Sequence, residues 1–227
     1  MGQKVSPIGL RIGINKPWDS TWYASKEDFA KFLLEDNKIR NFLNKEYAQA
    51  SISKITIERT KERLIVNIFT GRPAVLIGQK GANVEIIKKQ LKKITNPTKN
   101  LVVNIKEVKR VDLDAQLVAE GVAQQLEKRV TFRRALKQAI QKVMKAGAKG
   151  CKVQVSGVVD GANTIARTEN YMEGSLPLQT IRADIDYGTT AAYTNYGKLG
   201  VKCWIYKGDI LGGKTEEAKE DKPNVNA

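Results

Sequence analysis

The sequence feature that most constrains this chain is the loop Gly78-Gln79-Lys80-Gly81, between an apolar segment and an amphipathic helix. Glycines at both ends permit backbone conformations and close approaches that a side chain would block. Lys80 adds a positive charge, and the unpaired N–H groups at the next helix start attract anions. The loop therefore predicts a site that binds a sugar-phosphate backbone. The alternative is a simple tight turn without a binding role.

Hydrophobic periodicity predicts an alternation of helices and strands around the loop. Apolar residues alternate with polar ones at Ile55 and Ile57, after Ile52, and at every second position in 64–68 and 101–105, which indicates three strands. Pro73 suits the first turn of a short helix that ends at Gly78. The helix after the loop carries an apolar side flanked by lysines: Val84, Ile87, Leu91 and Ile94, with Lys88, Lys89, Lys92 and Lys93.

Two helices are predicted ahead of the first strand. Ser25 and Asp28 form a capping-box pattern for a helix whose apolar stripe is Phe29, Phe32 and Leu33. A second helix is predicted near 39–48. The predicted order is then helix, strand, strand, helix, glycine loop, helix and strand.

The second half of the chain predicts two helices followed by four strands. If the first helix continued unbroken, Arg133 would fall inside its apolar arc, and burying an unpaired guanidinium is costly. A break with Thr131 as the cap avoids this and leaves Gly147 to end the second helix. The second helix then buries Phe132, Leu136, Ala139, Ile140 and Val143. Strands are predicted at 152–156, 166–170, 182–187 and 201–206.

The same break gathers Arg133, Arg134 and Lys137 at the edge of the apolar stripe. Three cations at helical spacing often form only a solvated basic face. The 227-residue chain, however, has 39 basic and 24 acidic residues, a net charge of +15. Such an excess is typical of a protein that binds a polyanion, so phosphate contact is the stronger interpretation. The excess lies in 39–107 and 108–210, which predicts that folded surfaces meet the partner.

Composition argues against a membrane protein and against most kinds of enzyme. No apolar run approaches the roughly 20 residues of a membrane span, and the amino terminus lacks an apolar signal-peptide core. We therefore expect a cytosolic protein. Histidine, the commonest general base and zinc ligand, is absent. Cys151 and Cys203 are expected to be buried free thiols. We predict no catalytic residue, no metal and no cofactor.

Both ends of the chain look irregular. Residues 1–16 lack periodicity and predict an extended arm that a partner orders. Residues 208–215 match the letters of a phosphate-binding loop, but the polar segment after them offers no helix or strand to complete a nucleotide site. Residues 211–227 are predicted to be a disordered polar tail.

Two small clusters each have a structural and a functional interpretation. Asp184 and Asp186 share one face of a strand, where ion pairs with Lys or Arg are favoured over a metal. Trp18, Trp22 and Tyr23 either pack on a neighbouring helix or stack on a base or a partner protein.

Taken together, these segments resemble the family of bacterial small-subunit ribosomal protein three, up to about Gly213. The first part is similar to a prokaryotic, or type II, KH domain, which holds single-stranded nucleic acid with its Gly-x-x-Gly loop. The segments that carry the resemblance are 1–11, 16–22, Gly71-Arg72-Pro73 through Gly81, 116–149 with Phe132-Arg133-Arg134-Ala135-Leu136-Lys137, Ile165-Ala166-Arg167-Thr168-Glu169, and 181–187.

The resemblance implies a place in the head of the small subunit, bound to ribosomal RNA and adjoining other head proteins. It also implies a role where mRNA enters, with Arg133, Arg134 and Lys137 contacting mRNA and assisting its unwinding. Gln79 departs from the family, which usually has a basic residue there, and 156–165 lacks the family's arginine. The predicted RNA-binding residues are Arg72, Gly78, Gln79, Lys80, Gly81, Lys88, Arg133, Arg134, Lys137 and Arg167.

The predicted fold class is α+β, a type II KH domain followed by a second domain of two helices on a mainly antiparallel sheet. The predicted divisions are an arm and helix over 1–38, the KH domain over 39–110, the second domain over 111–210 and the tail. Two alternatives remain: a DNA nuclease or abasic-site lyase, and a free regulatory KH protein. The lack of histidine argues against a metal nuclease but leaves a lysine lyase open.

Overall fold

The computed structural model describes residues 3–60, 62–95, 100–159 and 165–211, with Lys80 described by its backbone alone. The helices are Pro7–Arg11 (α1), Lys26–Glu46 (α2), Pro73–Ile77 (α3), Ala82–Ile94 (α4), Ala115–Glu127 (α5) and Phe132–Lys145 (α6). The strands are Ser20–Thr21 (β1), Ile52–Arg59 (β2), Arg63–Thr70 (β3), Asn100–Glu107 (β4), Gly150–Gly157 (β5), Arg167–Gly174 (β6), Ala183–Thr194 (β7) and Gly197–Asp209 (β8). The predicted α+β class is confirmed.

The first sheet has the strand order β1-β2-β3-β4. Strands β2 and β3 form an antiparallel pair with Ile57 opposite Val66. Strand β4 runs parallel to β3, with Leu101 opposite Leu64, because α3 and α4 form the crossover between them. Buried apolar residues from α2, α3, α4 and the strands form one core. The predicted order from strand to strand through the glycine loop is confirmed.

Helix α2 corrects the prediction of two helices before the first strand. It runs unbroken from 26 to 46, and its predicted cap is confirmed because the Ser25 hydroxyl accepts a hydrogen bond from the Asp28 N–H. The predicted apolar stripe is wrong for Phe29 and Leu33, which are both more than half exposed. The first half of α2 instead turns Asp36 inward, where it pairs with a buried arginine of β2.

The charges of Asp36 and Arg59 are buried under α2 because each has partners there. Arg59 donates to both Asp36 and Glu35, and its guanidinium lies 4.9 Å from the Phe32 ring centre. The carboxylate of Asp36 also accepts hydrogen bonds from Ser20 and Trp22, at 2.9 and 2.8 Å. Paired and hydrogen-bonded charges of this kind tolerate burial. A polar cluster therefore fixes the first half of α2 where an apolar stripe was expected.

The second sheet has the order β6-β5-β8-β7, and all its neighbouring strands are antiparallel. Helices α5 and α6 pack against one face of it and form a second core. The predicted break is confirmed, since α6 begins after Thr131, and Gly147 follows its last turn with a φ of +98°. The side chain of Thr131 makes no capping hydrogen bond, in contrast to its expected role. The five residues predicted to be buried in α6 are all buried: Phe132, Leu136, Ala139, Ile140 and Val143.

The amino-terminal arm is not ordered only by a partner, as the sequence suggested, because it docks on the second sheet. Arg11 ends α1 and is fully buried. Its guanidinium donates to the carbonyl oxygens of Ala183, Leu178 and Thr180, at 2.7, 3.1 and 2.8 Å. Burial lowers the pKa of Arg11, and the nearby charge of Asp184 opposes that shift. Several charge-assisted hydrogen bonds thus tie the arm to residues far away in sequence.

Nearby side chains settle the aspartate cluster and, for Trp22 alone, the aromatic cluster. Asp184 and Asp186 form ion pairs with lysines, the Asp184 carboxylate lying 3.0 Å from Lys16 Nζ and that of Asp186 3.8 Å from Lys207 Nζ. The ion-pair interpretation is therefore confirmed. Trp22 packs on Phe29 and Phe32, whereas Trp18 and Tyr23 are exposed.

Cys151 and Cys203 are free and fully buried, as predicted. The pKa of the Cys203 thiol is raised well above its ordinary value by its hydrogen bond with Cys151 and by burial. A thiol in that state is a poor nucleophile.

The two halves of the chain meet where α5 begins. Asp114 accepts hydrogen bonds from the N–H groups of Gln116 and Leu117, both at 3.0 Å, and so caps the helix. The Ser53 hydroxyl of β2 donates to the other carboxylate oxygen of Asp114. One carboxylate therefore serves both the cap and the contact with the first sheet.

Candidate nucleic-acid interface

The glycine loop has a backbone that only glycine adopts easily. Gly78 ends α3 with φ +68° and ψ −173°, and Gly81 precedes α4 with φ +82° and ψ 9°. A Cβ at Gly78 would lie 2.6 Å from the side chain of Asn83, whose amide donates to the Val75 carbonyl at 3.0 Å. A Cβ at Gly81 would meet no other atom within 4 Å. The space beside Gly81 is therefore open to a backbone approaching from outside.

The side chains predicted to bind around the loop differ in exposure. Arg72 and Gln79 are exposed, and Lys88 on α4 is partly buried. The side chain of Lys80 lies outside the described residues, so its predicted role stays a prediction. Apolar residues flank the loop on both sides and were missed from sequence: Val75 and Ile77 on α3, each 41% exposed, and Ile86 on α4, 48% exposed. The sequence could have indicated them, because these apolar residues are additional to those predicted to be buried in the two helices.

The cations of α6 form a different kind of surface. Arg133, Arg134 and Lys137 are exposed, while the opposite side of the helix is anchored in the core. Among the described residues, no carboxylate lies within ion-pair distance of these three side chains. The first turn contains no acidic residue, and a helix start attracts anions. Three cations and a helix start thus offer unneutralised positive charge; we call these three residues the α6 patch.

Two further cations next to the α6 patch were missed from sequence. Lys128 and Arg129 lie in the connection between α5 and α6, and both are exposed. Arg129 has φ +61°, a conformation uncommon outside glycine, and its N–H donates to the Leu126 carbonyl. The sequence signal was the run of basic residues around the predicted helix break.

The predicted binding residues fall into three separate groups. Arg72 and Lys88 lie near the glycine loop, the α6 patch lies in the second half, and Arg167 lies on strand β6. The guanidinium of Arg167 is 3.9 Å from the Glu169 carboxylate, which partly neutralises it. The three cations of the α6 patch share one helix, whereas the loop residues and Arg167 lie on other elements.

Two acidic groups have raised pKa values, and both serve structural contacts. Burial first, and the nearby Asp186 charge second, raise the pKa of Asp114, the cap of α5. Burial also raises the pKa of Glu120, whose carboxylate accepts a hydrogen bond from Gln116 at 3.1 Å.

Two searches limited to the described ranges gave negative results. They contain no group of three or more Cys, Asp or Glu side chains placed to hold a metal ion. None of the helices found there has the length and apolar content needed to cross a membrane.

Comparison with known families agrees with both halves of the structure. Residues 38–113 match the family described as KH domain. Residues 122–205 match the family described as Ribosomal protein S3, C-terminal domain. The glycine loop lies inside the first match and the α6 patch inside the second.

Named relatives match along the whole chain. The chain is 56% identical over 227 residues to the small ribosomal subunit protein uS3 of Clostridium tetani (strain Massachusetts / E88), covering 100% of both chains. It is 54% identical over 225 residues to uS3 of Clostridium botulinum (strain 657 / Type Ba4), covering 99% of this chain and 100% of the relative. Similarity of this extent establishes the family, and the chain belongs to the uS3 family of small ribosomal subunit proteins.

Proposed function

We propose that this protein is a structural constituent of the small ribosomal subunit, in the cytoplasm, that binds ribosomal RNA and contacts mRNA where it enters. It acts by binding and not by catalysis. Its partners are ribosomal RNA, mRNA and neighbouring proteins of the head. The proposal takes 39–110 as the KH domain and 111–210 as the second domain.

The α6 patch is the observation that carries the mRNA contact. Its three long cations are exposed and form no ion pair within the described residues, so phosphates are their natural counter-charges. The buried side of α6 fixes the helix that presents them. Contact with separated strands would oppose their re-pairing, while translocation by the ribosome supplies the work.

The glycine loop has a secondary part in this proposal. Its backbone admits a close approach at Gly81, but Gln79 supplies no charge there. Binding by backbone alone confers little sequence preference, which suits contact with structured ribosomal RNA.

The triple variant R133A/R134A/K137A tests the mRNA contact. Ribosomes carrying it should translate through a stable mRNA hairpin several-fold more slowly and translate an unstructured message at the normal rate. The matched control K26A/K38A/K45A removes three exposed cations from α2 and should change neither rate. Equal slowing on both messages would contradict the proposal.

Co-sedimentation tests the assignment to the ribosome separately. The full-length protein should remain with small subunits in high-salt gradients. Recovery only in the free fraction would favour a free regulatory RNA-binding protein.

A further inference from the structure

Among the described residues, α5 and α6 cover only one of the two faces of the second sheet. Helices α5 and α6 cover the face that carries Val153, Val155 and Cys203. Strand alternation sends the intervening residues to the opposite face. The Ser156 and Thr168 hydroxyls meet there at 3.1 Å across β5 and β6. We call the following ten residues the outer sheet face: Lys152, Gln154, Ser156, Thr168, Asn170, Met172, Tyr187, Thr189, Lys202 and Trp204.

Only part of the helix-free side is available to a partner. At its other end, Ala183, Ile185 and Tyr206 are buried beneath Leu176 and Leu178. Arg11 holds the backbone of this covering segment from the amino-terminal arm. The outer sheet face adjoins this covered end through Trp204, and its residues are partly or fully exposed.

The charge of the outer sheet face has one sign. It contains two lysines and no carboxylate, although the chain as a whole has 24 acidic residues. The acidic residues of β6, Glu169 and Glu173, lie opposite the inward-facing Val155 and Cys151 and so belong to the other face. A polar surface whose only charges are positive favours an anionic partner.

The outer sheet face also carries two aromatic rings, Tyr187 and Trp204, and Trp204 packs on one side against the covered cluster. Tyr187 and Trp204 are neighbours on β7 and β8, with ring centres 5.3 Å apart and planes tilted by 46°. Lys152 Nζ lies 5.4 Å from the Trp204 ring centre. Met172, beside Lys152 across the strands, is 60% exposed. Rings and cations side by side on an open sheet are what proteins use to stack bases and hold the adjoining phosphates.

We propose that the outer sheet face binds unpaired nucleotides of an RNA strand. One base stacks against the Trp204 and Tyr187 pair, and Lys152 and Lys202 contact the flanking phosphates. This inference rests on the proposed function in taking RNA as the partner. It concerns a surface separate from both the glycine loop and the α6 patch.

Photocrosslinking of the full-length protein tests the proposal. The probe is a single-stranded RNA of about 12 nucleotides containing 5-iodouridine, which joins to aromatic side chains on irradiation. Crosslinked peptides should include Trp204 or Tyr187. The variant K152Q/K202Q should lower the yield at these residues about fivefold at low salt, because two phosphate contacts are lost. The control K26Q/K38Q makes the same charge change on α2 and should leave the yield unaltered.

The outcomes separate this proposal from the assignment to the ribosome. Crosslinks confined to the glycine loop or α6 would overturn it, as would an equal loss in the control variant. If the protein co-sediments with small subunits but shows no crosslink on this face, only the present inference fails. If the crosslink forms but the protein does not co-sediment, only the ribosomal assignment fails.

Discussion

The glycine loop and the α6 patch, two surfaces proposed to bind RNA, would attract it by different means. The loop relies on backbone: its two glycines take φ values of +68° and +82°, and Gln79, the first of the two residues between them, carries no charge. The α6 patch relies on side chains, with three exposed cations on a helix whose other side is buried. A backbone site is therefore sensitive to added atoms, and a side-chain site to lost charge.

The anchoring of the two surfaces is similar even though their chemistry differs. Leu76 of α3 lies fully buried below the loop, and Leu136 of α6 lies fully buried below the patch. Each surface thus depends on a core residue that makes no contact with RNA in either proposal. Separate substitutions in the core, in the loop backbone and at charged positions should show how much each contributes to stability and to RNA binding.

The largest effect is expected from removing the α6 anchor. Leu136→Ala should lower the free energy of unfolding by about 3 kcal/mol, because it leaves a cavity in a packed core. Urea denaturation followed by circular dichroism measures this change. The exposed neighbour variant Lys137→Ala should stay within about 0.5 kcal/mol of the parent. A similar loss in both variants would show that α6 is not anchored by its buried side.

Asp114 offers a way to loosen the contact between the two halves. Asp114→Ala removes the α5 cap and the acceptor of the Ser53 hydroxyl, and should cost about 1 kcal/mol. Asp114→Asn keeps an acceptor for the cap and removes a buried charge, so it should be at least as stable as the parent at neutral pH. Burial raises the pKa of Asp114, and the positive charge of Lys207 lowers it by a smaller amount, so the pKa stays raised.

The pH dependence of this contact follows from the raised pKa of Asp114. The folded state takes up a proton at a pH above the ordinary value of 3.8. The stabilisation from that proton is complete below the ordinary pKa and is lost as pH rises through the folded pKa. Unfolding free energies from about pH 4 to about pH 7 should therefore fall less steeply for Asp114→Asn than for the parent. Identical slopes for the two proteins would rule out Asp114 as the titrating group.

Helix α6 could be predicted residue by residue because one physical conflict fixes its start. An unbroken helix would bury Arg133, and only a break at Thr131 keeps that side chain in water. The arm could not be predicted in this way. The partners of Arg11 are carbonyl oxygens 167 to 172 residues away, and hydrophobic periodicity carries no information about them.

The same limit explains the error in α2. Two helices were predicted within 26–48 from two separate apolar stripes, yet no Gly or Pro interrupts residues 26–46. Between the two stripes, the buried residue is Asp36, which pairs with Arg59 of β2. That pair exists only once the sheet has folded, so the sequence pattern does not reveal it. Sequence alone indicated the cations of the patch, but the uncovered outer sheet face became visible only from the arrangement of strands.

The two loop glycines should respond differently to the same substitution. Gly78→Ala should cost about 2 kcal/mol, because its φ and ψ are rare for other residues and the new Cβ collides with Asn83. Gly81→Ala should cost about 1 kcal/mol, because its left-handed conformation is strained but the space around it is open. Urea denaturation gives both values. Equal costs would show that Asn83 moves aside freely.

The smallest effect is expected from adding a cation to the loop at position 79. Gln79 is exposed, so Gln79→Lys should leave stability within about 0.5 kcal/mol and add one phosphate contact. The slope of log K against log salt for single-stranded RNA should steepen by about 0.7. Gln49→Lys, an exposed change of the same charge elsewhere on the first half, should steepen it less. If both lysines act alike, the loop offers only general charge attraction and no specific phosphate contact.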